Sequence, residues 1–352
     1  MRATVLRNKQ LVVADVPVPE PGPGDVLVKT LACGICGSDL HAVKHADRFA
    51  AEYRRADGSA IMDLGRDIVM GHEFCAEVVD HGPGTERRLR AGTRVCSMPV
   101  LLRPEGRQTI GYSNDNPGGY AEYMRLSEAL LLEVPNGLPT THAALTEPMA
   151  VGVHAVNKAR LLAGDSALVV GCGPVGLAVI AALRLRGVRP IVALDFSPRR
   201  RELAVAMGAD RVVDPAALPE HAEWRTATVV FECVGVPGVI DQIMGSATRG
   251  TRIVVVGVCM EPDTIRPLRG ISKELALQFV LGYDAGEFAE TLRHIADGAL
   301  PAAPLVTGLV GVDGVAGAFS TLASPETHAK ILVEPWRAGA HVDPARMASR
   351  PS

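Results

Sequence analysis

Residues 166–195 constrain this chain more than any other stretch. Ala167-Leu168-Val169-Val170 is an uncharged apolar run, and Gly171-Cys172-Gly173-Pro174-Val175-Gly176 is a G-x-G-x-x-G turn. A helix-patterned segment follows to Arg186, and a second apolar run, Pro190–Asp195, ends on a carboxylate. Strand, glycine turn, helix and acid-closed strand together make the opening unit of a dinucleotide-binding sheet rather than a bare βαβ turn. Gly171 permits the tight turn, Gly173 lets a pyrophosphate approach the backbone, and Gly176 lets helix and strand touch. Pro174 and Val175 open the helix, so the phosphates face its free N–H groups and positive dipole end. Asp195 accepts hydrogen bonds from the ribose hydroxyls and repels a 2′-phosphate, which favours NAD over NADP. Arg199-Arg200-Arg201 follows; we read Arg200 as lying along the adenosine.

The alternation continues beyond this unit. Pro198–Met207 reads as a helix, and Arg211–Val213, Thr228–Glu232 and Arg252–Gly257 read as strands. Fully apolar strands between helices imply a buried parallel sheet, that is, an α/β, doubly wound arrangement. Residues 1–145 have another texture. Gln10–Val16, Val26–Leu31, Phe74–Asp80 and Arg94–Met98 are short β-like runs bounded by Pro and Gly. The four prolines of Pro17–Gly24 exclude helix interior and central strand there. After about Tyr283 the pattern changes again, with a helix near Glu287–Ala296 and strands near Leu305–Val310 and Lys330–Glu334. A tail from Arg337 onward, rich in Ala, Arg and Pro, is expected to fray. At ~150 residues per domain, a chain of 352 residues makes about two.

Composition removes several functions. Lys+Arg 36 against Asp+Glu 39 leaves a net charge of −3, so electrostatic capture of nucleic acid is not expected. Aromatic residues are only 4%, which leaves few stacking platforms for single strands. The uncharged stretch Ala167–Leu183 is broken by Gly and Pro and is shorter than the ~20 residues of a membrane span. The N-terminus carries charge where a signal peptide needs an apolar run. Seven scattered cysteines, an odd number, do not form a disulfide framework, so a cytoplasmic protein is expected.

Chemistry-bearing residues gather in the first half. Cys33-Gly34-Ile35-Cys36-Gly37-Ser38-Asp39-Leu40-His41 is followed later by Gly71-His72-Glu73. Cys33 and Cys36 admit a redox C-x-x-C reading, but its usual setting is a helix start in a thioredoxin-type unit, not a β-rich, proline-laden region. The competing reading makes Cys36 a thiolate ligand of catalytic zinc, with His72 and a carboxylate completing a three-ligand shell that keeps one position open.

With these motifs in order, and with Glu147-Pro148-Met149-Ala150-Val151 and His328-Ala329-Lys330-Ile331-Leu332-Val333 beside them, the chain resembles the zinc-dependent medium-chain alcohol dehydrogenases over roughly residues 1–336. The resemblance implies a GroES-like β-rich catalytic domain (1–148), a Rossmann NAD-binding domain (149–285), a segment returning to the catalytic domain (286–340) and a tail (341–352). It places the active site in the cleft between domains. It implies Cys36 and His72 as zinc ligands, Asp39 as the carboxylate that orients the ligand histidine, and Ser38 and His41 as a proton relay running by way of the nicotinamide ribose. It also implies backbone contacts of Val234, Gly257 and Val258 to the nicotinamide. The reaction implied is reversible oxidation of an alcohol to a ketone or aldehyde by hydride transfer.

Members of that family differ at the remaining ligand. Glu147 stands where one branch has cysteine, which leans toward polyols and secondary alcohols, and Glu73 offers a second carboxylate. A thiolate plus two carboxylates makes the zinc shell net negative, and neighbouring side chains on a strand face opposite ways. Glu73 and Glu147 are therefore expected to exchange on the metal, and His72 and Glu73 to need a bend if both bind. Ser97–Gly119 holds no Cys or His, so one catalytic zinc and no structural zinc is expected. The 42–70 segment, with Phe49, Tyr53, Arg54 and Arg55, is either a wall of the substrate entrance or a surface elaboration. His45, His81, His142 and His154 are expected to serve local structure or face water. Leu275–Gly282 reads as an apolar edge strand, and an apolar edge is normally paired or covered, giving a homodimer or a doubled, tetrameric form. The competing functions are a zinc-free quinone or enone reductase on the same fold and a non-catalytic NAD-binding sensor. Partners beyond a small-molecule alcohol or carbonyl, such as nucleic acid or membrane, are not expected.

Overall fold

Two textures of sequence become two kinds of sheet. The computed structural model describes residues 1–52, 61–217, 227–324, 326–339 and 343–344. In the first part, β1 (Arg2–Arg7) pairs antiparallel with β2 (Gln10–Asp15), and the Pro17–Gly24 connector leads to β3 (Asp25–Gly34). Two short helices follow, α1 (Gly37–Lys44) and α2 (Ala46–Glu52). Next come β4 (Ile68–Val69), β5 (Glu73–His81), β6 (Arg94–Cys96), the hairpin β7 (Val100–Arg103)–β8 (Gly106–Thr109), β9 (Tyr123–Ser127) and β10 (Leu132–Glu133). Arg103, at the hairpin turn, grips the buried Asp25 with two hydrogen bonds of 2.8 Å. A planar guanidinium meeting a carboxylate through two parallel bonds is a specific fastening. Helices α3 (Thr140–Ala143) and α4 (Thr146–Lys158) lead onward.

The second part is a parallel sheet of β11 (Ala167–Val170), β12 (Ile191–Leu194), β13 (Arg211–Val213), β14 (Val229–Glu232), β15 (Arg252–Val255) and β16 (Ala276–Phe279), in the order β13-β12-β11-β14-β15-β16. Helices α5 (Pro174–Leu185), α6 (Pro198–Met207), α7 (Val239–Ser246), α8 (Pro267–Lys273) and α9 (Ala285–Ala296) accompany it. Leu168, Val192, Leu194, Val230, Ile243, Ile253 and Val255 form one core cluster. Central strands buried on both faces are what the continuous apolar runs required.

The chain then returns to the first sheet through β17 (Val306–Val310), α10 (Val315–Leu322), β18 (Lys330–Val333) and β19 (Asp343–Pro344). β18 pairs with β3, in a sheet ordered β10-β6-β5-β3-β18-β17-β19 with β9 also on β3. One compact unit comprises Met1–Glu147, Val306–Ser324 and the chain from Lys330; the other comprises Pro148–Leu305 and Pro325–Ala329. The return thus begins at Val306 rather than at 286. A tertiary contact accounts for this: Glu287 on α9 accepts from His154 (2.7 Å) and Asn157 (2.8 Å) of α4, which keeps that helix with the parallel sheet. Most of the tail from Arg337, and Tyr53, Arg54 and Arg55 of the 42–70 segment, lie outside the described residues. Among the described residues, no helix is long and apolar enough to cross a membrane.

Candidate active site and metal centre

The centre begins where β3 ends. Ile35 donates its N–H to Ile331 O of β18 at 3.0 Å, which fixes the turn that delivers Cys36 to the head of α1. Asp39, in the first turn of α1, reaches back to accept from the Cys36 backbone N–H at 2.9 Å. An acid in that position satisfies a donor that the helix leaves free. The Asp39 carboxylate is fully buried and also accepts from Tyr120 Oη and Tyr112 Oη, each at 2.7 Å. Burial opposes its charge, but His72 and the two phenols hold its pKa below the usual carboxylate range.

His72 and Glu73 arrive together because the chain bends. Gly71 has φ +101°, and a Cβ there would come within 2.7 Å of the Tyr120 ring and 2.9 Å of Cys33 Sγ. The left-handed turn leaves His72 just outside β5, so strand alternation does not separate it from Glu73. The ligand atoms of Cys36, His72 and Glu73 all lie within 4.8 Å of one another. Gly34 is needed as space, since a Cβ at that position would overlap Glu73 Oε2.

Lys330 supplies what the sequence did not suggest. Its Nζ donates to both Glu73 oxygens, at 2.7 and 2.8 Å, and to Ile35 O at 3.1 Å. Glu73 is 0% and Lys330 1% exposed. Burial works against the lysine charge, but Glu73, Cys36 and Glu147 outweigh it and raise its pKa. The second carboxylate charge that the sequence left unbalanced is thus offset by a buried ammonium.

The residues present suit zinc. Thiolate, imidazole and carboxylate are its donor types, and three protein ligands leave a position open. Buried His72 Nδ1 sits 3.4 Å from Asp39 Oδ1, outside hydrogen-bond geometry, so the protein alone does not satisfy the ring. Burial disfavours a charged His72, yet Asp39 and Cys36 raise its pKa well above the imidazole range. Glu147 is not in the three-residue cluster, although its charge is felt at Lys330. Cys33, the other half of the C-x-x-C, is buried against Gly71 and Gly119, and burial pushes its thiol pKa up. A protonated, enclosed thiol is a poor redox partner.

Ser38 and His41 share α1 with Asp39. Ser38 Oγ lies 2.9 Å from Tyr112 Oη. His41 is half-buried, and burial, His45 and Lys44 lower its pKa. Tyr112 was not among the residues singled out from the sequence, yet its ring lies 5.2 Å from His72 and 5.1 Å from Phe49. Phe49, from the 42–70 segment, therefore backs the site. Neither Tyr112 nor Lys330 carries a local signal; each acquires its role from residues far away in sequence.

In the parallel-sheet unit, Gly171 has φ +91°. A Cβ on Gly173 meets nothing within 4 Å, whereas one on Gly176 would overlap Gly171 O. One glycine thus leaves open space where a phosphate would approach and another permits close packing. Gly173 is the N-cap of α5, and Pro174 and Val175 form its first turn. Asp195 closes β12 and accepts from Cys172 N (2.7 Å) and Ser197 N (2.9 Å). Arg200 Nη1 lies 3.9 Å from it, and Ser197 Oγ donates to Glu326 at 3.1 Å. Val234, Gly257 and Val258 sit just past β14 and β15, with both valines exposed. Glu232, also unforeseen, is buried at the end of β14 and accepts from Val234 N (2.7 Å) and Gly235 N (2.8 Å), which shapes that loop.

Known proteins resemble this chain in sequence and in fold. Residues 22–136 match the family described as the alcohol dehydrogenase GroES-like domain, and residues 174–297 the family described as zinc-binding dehydrogenase. A (R,R)-butanediol dehydrogenase of Bacillus subtilis is 34% identical over 95% of this chain and 100% of its own length. A sorbitol dehydrogenase of the same organism is 27% identical over 87% of this chain and 89% of its own. The crystal structure of 2R,3R-butanediol dehydrogenase from B. subtilis superposes with a TM-score of 0.82 at 32% identity, covering 95% of this chain and 99% of that one. A Sinorhizobium meliloti structure, described as a zinc-binding dehydrogenase bound to NADP, gives 0.79 at 27% identity over 95% and 99%. The chain belongs to the zinc-dependent medium-chain alcohol dehydrogenase family, and its chemistry is that of an alcohol and polyol oxidoreductase.

Proposed function

We propose that the protein oxidises a secondary alcohol or vicinal diol to the ketone, reversibly, with NAD and one zinc ion. The observation that carries this reading is the buried Cys36–His72–Glu73 cluster with its Lys330 counter-charge. Zinc held there would supply Lewis acidity to the substrate oxygen, and NAD bound at Gly171–Gly176 and Asp195 would accept the hydride. Asp39 Oδ1 faces His72 Nδ1 at 3.4 Å and is placed to orient the ring once zinc draws it into position. Ser38 holds the acceptor oxygen for the hydroxyl proton. His41, its pKa lowered by burial and by His45 and Lys44, is neutral at pH 7 and able to take a proton. The diol preference follows the butanediol and sorbitol relatives.

NAD is favoured over the NADP seen with one relative because two acids, Asp195 and Glu326, stand around Ser197 where a 2′-phosphate would be repelled. Glu147 is the carboxylate we expect to exchange with Glu73, since Lys330 feels both. Metal titration of Glu73→Ala and Glu147→Ala checks this: full zinc occupancy and unchanged turnover in both variants contradicts it. The β16 edge, with Phe279 64% and Leu281 84% exposed, suits pairing with a second copy, which light scattering on Leu281→Glu tests. All seven cysteines are unpaired, which suits a reducing compartment such as the cytoplasm.

The test of the whole reading is NADH formation across a panel of secondary alcohols, vicinal diols and polyols, with and without a zinc chelator. Chelator-sensitive turnover on that panel is expected; zinc-loaded protein that turns over none of them would favour a non-catalytic NAD-binding role.

A further inference from the structure

The arginine run 199–201 follows the acid that closes β12, and the reaction described above leaves it without a task. Two of its members are held by the protein itself. Arg199 donates to Glu202 at 2.9 Å. Arg201 donates to Asp195 O at 2.7 Å and Phe196 O at 2.8 Å, and pairs with Asp214 at 3.2 Å. Arg200 differs. Its ion-pair partner, Asp195, is 3.9 Å away, beyond hydrogen-bond reach, and its buried Nε has no partner among the described residues.

Ser197 stands between two carboxylates. Its N–H donates to Asp195 Oδ1 at 2.9 Å, and its hydroxyl donates to Glu326 Oε2 at 3.1 Å. The same hydroxyl oxygen caps α6 by accepting from Arg200 N at 3.2 Å. Glu326 lies 129 residues away in sequence, in Pro325–Ala329, a stretch that belongs to the parallel-sheet unit. Matching each arginine with one acid, Arg199 with Glu202, Arg200 with Asp195 and Arg201 with Asp214, leaves Glu326 as an unmatched negative charge.

A bound phosphate needs donors and positive charge. Two side-chain donors stand beside Asp195, the Arg200 guanidinium and the Ser197 hydroxyl. The second is turned toward Glu326, and the charge left over has the wrong sign. A serine has one hydrogen and an ionised carboxylate only accepts. While Glu326 holds that hydrogen, Ser197 Oγ has only lone pairs to show a phosphate.

We propose that Arg200 and the Ser197 hydroxyl form a 2′-phosphate site that Glu326 keeps closed, which makes Glu326 a determinant of cofactor choice alongside Asp195. This rests on the reading of NAD as the cofactor and deepens it: Asp195 repels the phosphate, whereas Glu326 also withholds a donor.

Fluorescence titration of the full-length protein with NADH and with NADPH, without substrate, tests this. The quantity read is the ratio of NADPH to NADH affinity, because a loop merely loosened by substitution weakens both together. Glu326→Gln removes the charge and raises the ratio about fivefold. Glu326→Ala also frees the Ser197 hydrogen and raises it further, to about tenfold. Adding Arg200→Met to Glu326→Ala cancels the gain. An unchanged ratio in Glu326→Ala overturns the proposal, as does a gain that survives Arg200→Met. If wild type itself binds NADPH at least as tightly as NADH, the reading of NAD fails and the proposal falls with it; the two failures are thus distinguishable.

Discussion

In the parallel-sheet unit the candidate ligand groups are mostly backbone and close together in sequence: the glycine turn 171–176 and Asp195 one strand later. In the antiparallel unit they are side chains gathered from distant places: Cys36 and Asp39 on α1, His72 and Glu73 at a bend, Tyr112 and Tyr120 from loops, and Lys330 from the returning strand. The difference teaches where each site is vulnerable. A backbone site fails when a side chain is added, whereas a side-chain site fails when a remote partner is removed.

The largest expected effect tests that statement in the antiparallel unit. Lys330→Met leaves Glu73 buried and unpaired, which costs about 3–5 kcal/mol in the metal-stripped protein. Adding Glu73→Gln restores much of it, and thermal or urea unfolding measures both. Equal stability of wild type and Lys330→Met would break the comparison. Next in size, Gly176→Ala forces a Cβ onto Gly171 O and costs about 1–3 kcal/mol by overpacking, with loss of NADH binding. Gly173→Ala, where there is open space, keeps its Tm and weakens only NADH binding by fluorescence titration. Identical behaviour of the two alanines would contradict their assigned roles.

Two smaller effects sharpen it further. Asp195→Asn removes the charge but keeps the shape, and the ratio of NADP to NAD affinity is expected to rise about tenfold, or ~1.4 kcal/mol. An unchanged ratio leaves Asp195 without its discriminating role. His41→Gln acts least, by about tenfold or less in kcat. Because the His41 pKa is lowered, wild-type alcohol oxidation falls off only as pH drops below the ordinary imidazole value, when His41 gains its proton. That acid limb should vanish in His41→Gln; an identical profile would remove His41 from proton transfer.

The same contrast explains what could be read from the chain alone. Pro198–Met207 and Arg211–Val213 match their observed bounds because buried strands and capped helices leave local patterns. The edge strand expected within Leu275–Gly282 is β16. Helices α1 and α2 went unseen because they are short and their partners are non-local. Lys330 read as part of a motif, and its partner, Glu73, lies elsewhere in the chain; the pairing exists only once β18 lies beside β3. Tyr112 was hidden in the same way, in a loop whose polarity gave no hint that it turns inward. The return boundary lies at Val306 rather than 286 because α9 is held by tertiary hydrogen bonds from His154 and Asn157 of α4, which its own sequence does not announce.

The central claim is that Cys36, His72 and Glu73 form one zinc centre assembled from side chains. Metal analysis of purified wild type and Cys36→Ser, alongside turnover on the best alcohol, addresses it most directly. The account predicts one zinc per chain in wild type, and loss of both zinc and turnover in Cys36→Ser. Full zinc occupancy in Cys36→Ser, or turnover by metal-free wild type, would contradict it.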